Sequence, residues 1–127
     1  MEDLQPRPQV PRPRPLPDLL SGLAPEEALA VLYAVRFHDR TDRLATRERF
    51  LAAHIAWLAE RRDRVLVAGS LRSEPGTPPV GGLWIVEADS RAAVEAIYAT
   101  DPFWTEGLRE RVEIHFWSKA LPERVPV

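Results

Sequence analysis

The chain has 127 residues, of which 45% are apolar and 28% charged, and this predicts one folded domain with a hydrophobic core. It contains no cysteine, which excludes disulfides, thiol nucleophiles and thiolate metal sites. Its 17 basic and 19 acidic residues leave a net charge of −2, which offers no excess of positive charge to nucleic acid. No apolar run approaches the roughly 20 residues of a membrane helix. We therefore expect a cytoplasmic protein with neither a nucleic-acid nor a membrane partner.

The beginning of the chain differs in composition from the rest. Residues 6–17 contain six of the 13 prolines, and such a segment favours extended polyproline geometry over helix or sheet. We predict that residues 1–27 are a proline-rich arm and connector, and that residues 28–127 form the folded domain. Pro8 and Pro11 satisfy a loose PxxP pattern. The arm is therefore either a ligand for an aromatic groove or a stiff segment that lies free or across a partner subunit.

A strand and a long helix are predicted next. Residues 29–37 are rich in Val, Leu and aromatic side chains and predict a first strand. Residues 42–61 predict a helix that either Asp39 or Thr41 can cap. Its apolar stripe repeats at spacings of three and four residues and consists of Leu44, Leu51, Ile55 and Leu58. Residues 64–70 predict the second strand.

The second half of the chain repeats the strand, helix and strand order. The predicted elements are a loop at 71–79, a strand at 81–88, a helix at 91–100 and a strand at 110–118. Ser90 is a good N-cap for the helix, and Pro102 ends it because proline disfavours helical backbone at the residue before it. The order β-α-β-β-α-β predicts an α+β, ferredoxin-like fold with a four-stranded antiparallel sheet.

Both faces of the predicted sheet carry large apolar groups. Two helices cover one face of a four-stranded sheet, so the other face is expected to be polar at every second residue. In the third predicted strand, however, Leu83 and Ile85 alternate with Trp84 and Val86. The uncovered face therefore needs a partner, and we predict a homodimer that packs sheet against sheet.

Several pieces of the sequence also occur in an order that is typical of one family. They are VLYAVRF from residue 31, HIAWL at 54–58, VLVAGSL at 65–71, GGLWIVEADS at 81–90, DPF at 101–103 and VEIHFW at 112–117. Together they resemble the YCII-related proteins of the dimeric α/β-barrel superfamily. The resemblance covers residues 31–117 and leaves the first 28 residues unexplained.

The resemblance implies dimers formed through the open sheet face, and a His–Asp dyad in a pocket. Carried over by position, the dyad is His54 and Asp101. The resemblance also implies chemistry without cofactor or metal, since one relative is a dehydrochlorinase that eliminates HCl from a chlorinated hydroxyquinol. Ser70 departs from the family pattern, in which proline commonly follows the glycine. His115 lies at a position that varies in the family, so its role is less well supported.

The residue types themselves suggest how such a pocket would work. Histidine changes charge near neutral pH, so His54 can act as a general base that the carboxylate of Asp101 orients. Aromatic walls for a flat substrate can come from Trp84, Phe103 and Trp104, an anion contact from Arg36, and further contacts from Ser70 and His115. The alternative is that His54 is an ordinary half-buried helix residue and Asp101 merely a turn residue. The three isolated histidines lack a metal-binding spacing, so we expect no metal site.

Two functions are consistent with these residues. One is a cofactor-independent lyase or isomerase that transfers protons on a small cyclic or aromatic metabolite. The other is a noncatalytic dimer that binds a small molecule or acts as an accessory protein. No glycine-rich phosphate loop and no GxSxG motif occur in the sequence, which argues against nucleotide binding of those types and against serine hydrolysis.

Overall fold

The computed structural model describes residues 31–121 of the chain. Its elements are β1 (Leu32–Asp39), α1 (Leu44–Ala59), β2 (Val65–Leu71), β3 (Gly81–Glu87), α2 (Arg91–Tyr98), α3 (Pro102–Thr105) and β4 (Arg109–Trp117). The predicted arm at 1–27 and the predicted strand residues 29 and 30 lie outside the described residues. None of the helices within residues 31–121 has the length and apolar character that crossing a bilayer requires.

The four strands form one antiparallel sheet in the order β2-β3-β1-β4. The two central strands are therefore β1 and β3, which are separated in sequence by a helix and a strand. This order and the alternation of strands and helices confirm the predicted α+β, ferredoxin-like fold. The paired register places Val35 of β1 opposite Trp84 on one side and opposite Ile114 on the other.

The hydrophobic core lies between one face of this sheet and the helices. Because strand side chains alternate between faces, every second residue of the central strands points into it. The largest buried contributors are Val35, Phe37, Trp84, Val86 and Ile114 from the sheet, with Trp57, Val94 and Tyr98 from the helices. Phe37 contacts Trp84 and Tyr98 edge to face, with ring centroids 4.6 and 5.6 Å apart.

Most of the apolar stripe of α1 does not pack into this core as a repeating helical stripe usually does, and Leu58 is the exception. Leu44, Leu51 and Ile55 are 37%, 41% and 55% exposed, whereas the buried residues of the helix are His54 and Trp57. The periodicity correctly placed the leucines and the isoleucine on one side of the helix. That side faces β2 and β3 across a cavity instead of contacting the sheet.

The start of α1 also differs from the prediction. Neither Asp39 nor Thr41 caps the helix, because Arg43 occupies the N-cap position and makes no side-chain capping bond. Asp39 is the last residue of β1, and its buried carboxylate binds two arginines instead. The helix ends at Ala59, two residues earlier than predicted.

The turn after α2 contains a short helix that the sequence did not predict. The side chain of Ser90 accepts the Ala93 amide at 3.1 Å, which confirms it as the N-cap of α2. α3 follows at once and closes in a Schellman motif, in which the Gly107 amide donates to the Trp104 carbonyl and the Leu108 amide to the Phe103 carbonyl. The positive φ of Gly107, 83°, permits this turn. The motif holds Phe103 in a defined position beside the sheet.

The other sheet face is open within residues 31–121. It presents the exposed apolar side chains of Val67, Leu83 and Trp117 next to polar groups of β1 and β4. Among these polar groups, Glu113 accepts from Arg111 at 3.1 Å and lies 3.4 Å from His38. Both contacts lower the pKa of the Glu113 carboxyl below its ordinary value, with the Arg111 bond as the larger cause.

β3 approaches β1 so closely that alanine should lower the stability of the fold at one glycine and not at another. A Cβ added at Gly81 would overlap the Phe37 carbonyl oxygen, whereas one added at Gly69 would meet nothing within 4 Å. We expect Gly81→Ala to lower the free energy of unfolding by about 2 kcal/mol or more, because the backbone must shift. Gly69→Ala should leave it within about 0.5 kcal/mol. Urea unfolding followed by tryptophan fluorescence measures both, and equal midpoints would contradict this account of the strand contact.

Candidate active site

The structure brings His54 and Asp101 together across 47 residues of sequence. The Nδ1 atom of His54 lies 2.7 Å from Oδ1 of Asp101. Both residues are buried, with Asp101 fully enclosed and His54 7% exposed. A contact this short between an imidazole and a carboxylate is a charge-assisted hydrogen bond.

Asp101 reaches this position because of the local sequence. Its backbone is extended, as the proline that follows it requires, and its side chain caps α3. The capping bond runs from the Phe103 amide to Oδ1 at 3.1 Å, on the same oxygen that contacts His54. The other oxygen, Oδ2, is buried and has no hydrogen-bond partner among the described residues.

The imidazole of His54 is held by rings as well as by the carboxylate. The Phe103 ring stacks on it with a centroid distance of 3.9 Å and an interplanar angle of 11°. The Trp84 ring lies 6.4 Å away, inclined by 27°. Because these rings restrict the plane of the imidazole, the direction of its two nitrogens is set before any ligand binds.

The hydrogen bonds define which nitrogen of His54 carries the proton. Oδ1 of Asp101 already accepts the Phe103 amide, so we assign it as the acceptor of an Nδ1–H of His54 as well. Nε2 makes no hydrogen bond to the described residues and keeps its lone pair in the neutral form. This arrangement leaves Nε2 as the atom that can accept a proton from a ligand.

A cavity of about 570 Å³ opens beside His54. It lies between α1, the strands β2 and β3, and the loop that joins these two strands. Its lining includes His54, Ser70, Trp84 and Phe103, together with the apolar stripe of α1. Its volume is in the range of sites for small organic ligands. Asp101 does not line the cavity and stands behind the imidazole.

Besides Asp101, three of the predicted site residues do not line this cavity. Arg36 and His115 lie on the open face of the sheet, because each alternates with residues that point into the core. Trp104 packs against Tyr98, with ring centroids 4.6 Å apart. The three histidines are likewise separated, with His38 and His115 on the opposite face from His54.

A cluster of charge that the sequence did not predict lies at one end of the cavity and consists of Asp39, Arg47 and Arg109. Oδ2 of Asp39 accepts from Arg47 at 2.7 Å, and Oδ1 accepts from Arg109 at 2.8 Å. Both arginines line the cavity. Arg47 could have been recognised, since it lies seven residues before His54 and shares its helix face. Nothing in the sequence indicates that Asp39 and Arg109, 70 residues apart, would meet.

The buried guanidinium of Arg109 is stabilised by aromatic rings and by carboxylates. It lies 4.4 Å from the centroid of the Phe37 ring and 5.1 Å from that of Phe103. Burial lowers the pKa of Arg109 below its ordinary value, and the hydrogen bond to Asp39 and the nearby charge of Asp101 oppose this shift. Arginine nonetheless stays protonated in proteins, so this end of the cavity carries positive charge.

Loss of the Asp39 carboxylate should destabilise the fold strongly. Asp39→Ala would leave two guanidiniums without their buried acceptor, at a cost of about 3–5 kcal/mol in the free energy of unfolding. Asp63→Ala is the matched control, because Asp63 is exposed in the turn after α1, and it should change stability by about 0.5 kcal/mol or less. Chemical unfolding of the two variants measures the difference. Similar losses in both would show that the cluster contributes little.

Comparison with known proteins places this geometry in a family. The profile of the YCII-related domain matches residues 31–118. The structure resembles 5-chloro-2-hydroxyhydroquinone dehydrochlorinase (TftG) from Burkholderia phenoliruptrix AC1100, solved in complex with 2,5-dihydroxybenzoquinone. The two are 30% identical, the match covers 68% of this chain and 93% of that one, and the TM-score is 0.63. No curated protein sequence matches the chain.

Two more distant solved structures are also similar to parts of the chain. A transcriptional regulator from Neisseria meningitidis, NMB0573, solved with L-Met, is 19% identical, with 96% of this chain and 66% of that one covered and a TM-score of 0.50. The cofactor-independent oxygenase SnoaB from Streptomyces nogalater is 16% identical, with 76% and 99% covered and a TM-score of 0.44. With its core, its sheet and most of its described length matched, this chain belongs to the YCII-related domain family, within the dimeric α/β-barrel superfamily of ferredoxin-like folds.

Proposed function

We propose that this protein is a cofactor-independent acid–base enzyme of the lyase or isomerase type, acting on a small hydroxylated ring. The observation that carries the proposal is the buried hydrogen bond between His54 and Asp101 at the wall of a cavity of ligand size. A histidine that is oriented by a carboxylate and keeps a free nitrogen beside a cavity is the arrangement that general base catalysis needs.

In this proposal His54 is the base and Asp101 orients it. Nε2 of His54 takes a proton from a hydroxyl of the ring, and the imidazolium that forms is stabilised by the carboxylate 2.7 Å from Nδ1. The electron pair left on the ring oxygen delocalises into the ring. The resulting anion accepts a proton on a ring carbon, which is an isomerisation. Where that carbon carries chlorine, loss of a second hydroxyl proton then expels chloride, which is an elimination.

The walls of the cavity suit a flat ring with polar substituents. Trp84 and Phe103 supply aromatic surface, and the Ser70 hydroxyl on β2 can donate to or accept from a second ring oxygen. The resemblance to a dehydrochlorinase of a chlorinated hydroxyhydroquinone supports the same class of substrate. Removal of HCl takes away one proton and one chloride, so the reaction needs a base and a leaving group and no external electron acceptor.

The proposal includes a homodimer formed through the open sheet face. Val67, Leu83 and Trp117 are 43%, 40% and 37% exposed there, and a second copy would remove this apolar surface from water. Two-fold dimers are the commonest oligomers of soluble proteins. A folded domain at 28–127 preceded by the proline-rich arm, and a cytoplasmic location, also remain predictions.

Replacing the base while keeping its bond to Asp101 tests the proposed catalysis. The amide of His54→Asn can still donate to the carboxylate but offers no nitrogen at the position of Nε2. We expect turnover to fall about 10²- to 10⁴-fold. Chloride release from 5-chloro-2-hydroxyhydroquinone measures elimination. Deuterium uptake from D₂O at the ring carbons of hydroxyhydroquinone, followed by NMR, measures proton transfer where chloride is not lost.

Two control variants separate chemistry from damage to the fold. Ala53→Asn introduces the same side chain at the exposed neighbouring position of α1, and Glu106→Gln neutralises an exposed carboxylate next to α3. Both should keep wild-type rates, whereas Asp101→Asn should slow turnover because the imidazolium loses its counter-charge. Equal rates for wild type and His54→Asn in both assays would refute the enzymatic proposal. Tight binding of the ring without any turnover would favour the noncatalytic alternative.

A further inference from the structure

The two arginines at the end of the cavity share a single carboxylate. Arg47 and Arg109 each donate one hydrogen bond among the described residues, and both bonds go to Asp39. Two guanidiniums therefore bond to one carboxylate, while the other carboxylate near Arg109, that of Asp101, is hydrogen-bonded to His54. Each guanidinium has five N–H donors, so residues 31–121 use only a small part of this donor capacity.

The positive charge of these two guanidiniums is held in place away from bulk water. The side chains of Asp39 and Arg109 are each 2% exposed, and that of Arg47 is 11% exposed. A charge in such surroundings interacts with a ligand more strongly than one on the surface, because little water screens it. The positions of the two guanidiniums are also set in advance, since Asp39 binds both arginines and does not itself line the cavity.

A glycine makes room for the guanidinium at the cavity wall. Gly82 of β3 lies directly beside Arg109, and a Cβ at this position would stand 3.3 and 3.4 Å from the two terminal nitrogens. Any larger residue at 82 would therefore crowd both terminal nitrogens of Arg109, of which Nη1 donates to Asp39. Gly82 and Arg109 both line the cavity.

The arginines and the proposed base contact the same aromatic ring. Phe103 stacks on His54, and the guanidinium carbons of Arg47 and Arg109 lie 5.0 and 5.1 Å from the centroid of its ring. One small ligand in the cavity can therefore reach both the imidazole and the guanidiniums. A cation pair next to a base is suited to a ligand that carries negative charge on one substituent and a proton to lose on another.

We propose that Arg47 and Arg109 form an anion-binding subsite, and that the ligand of the cavity is a planar ring that already carries an ionised oxygen. The ring oxygen is a phenolate, an enolate or a carboxylate. This inference rests on the proposed function and specifies its substrate class. Asp39 is a positioning residue in this subsite, and Arg36, which lies on the opposite face of the sheet, takes no part in it.

A pair of ligands of the same shape tests the subsite in the wild-type protein. 2,5-Dihydroxybenzoquinone is ionised at neutral pH because its hydroxyls are conjugated with the carbonyls, whereas 2,5-dimethylbenzoquinone is neutral. We expect titration calorimetry to show binding of the ionised ring at least about tenfold tighter than that of the neutral ring, because only the ionised oxygen accepts charge-assisted hydrogen bonds from the guanidiniums. Equal affinities would overturn the inference without any need for a variant.

Variants then assign the preference to particular residues. Arg47→Gln and Arg109→Gln should each weaken binding of the ionised ring about tenfold or more and leave the neutral ring unchanged. Arg49→Gln is the matched control, because Arg49 is exposed on the same helix and lies outside the cavity lining, and it should bind both rings as the wild type does. If Arg109→Gln does not fold, Arg47→Gln still decides, because it leaves the bond between Asp39 and Arg109 intact. Equal weakening of both rings would refute the assignment.

The outcomes separate this inference from the proposed function. Selective binding of the ionised ring that depends on the arginines, without any turnover, would support the subsite and remove the enzymatic proposal. Turnover that depends on His54 but is indifferent to Arg47→Gln and to the charge of the ring would support the enzyme and overturn the subsite.

Discussion

The carboxylate of Asp101 is the group on which the site geometry depends. One of its oxygens accepts the amide that begins α3 and also holds the imidazole of His54. The conformation of the turn and the position of the proposed base are therefore coupled through a single atom. Pro102 enforces the extended backbone of Asp101. The Schellman turn at Gly107 then closes α3 and holds Phe103 against the imidazole.

Two ionic clusters divide the tasks in this part of the molecule. His54 and Asp101 form the pair that holds the proposed base, whereas Asp39, Arg47 and Arg109 form a group that places two guanidiniums at the cavity. Buried charges are costly unless they are paired and hydrogen-bonded. Their concentration around one cavity, in a domain whose remaining core is apolar, is the pattern expected of a functional site.

The cavity exists because α1 does not close onto the sheet along its whole length. Trp57 anchors the helix in the core, while the more N-terminal members of the apolar stripe remain partly exposed along the cavity. Leucine and isoleucine side chains left in this state reduce stability, because their burial would otherwise favour folding. They also provide an apolar wall for a ring. Packing on this side of the helix is therefore incomplete, and the space that remains is the cavity.

The sequence alone determined the fold class, the Ser90 cap and the faces of the strands, because these follow from local preferences and from periodicity. It suggested the pair of His54 and Asp101 only through family resemblance, since a spacing of 47 residues carries no geometric information. The tertiary structure decided which surface the α1 stripe meets, because periodicity shows which residues share a face and not what that face contacts. It also brought Asp39 to Arg109. The register between β1 and β4 shifts by one residue after His38. This shift turns the Arg109 side chain to the face of the sheet that carries Asp39.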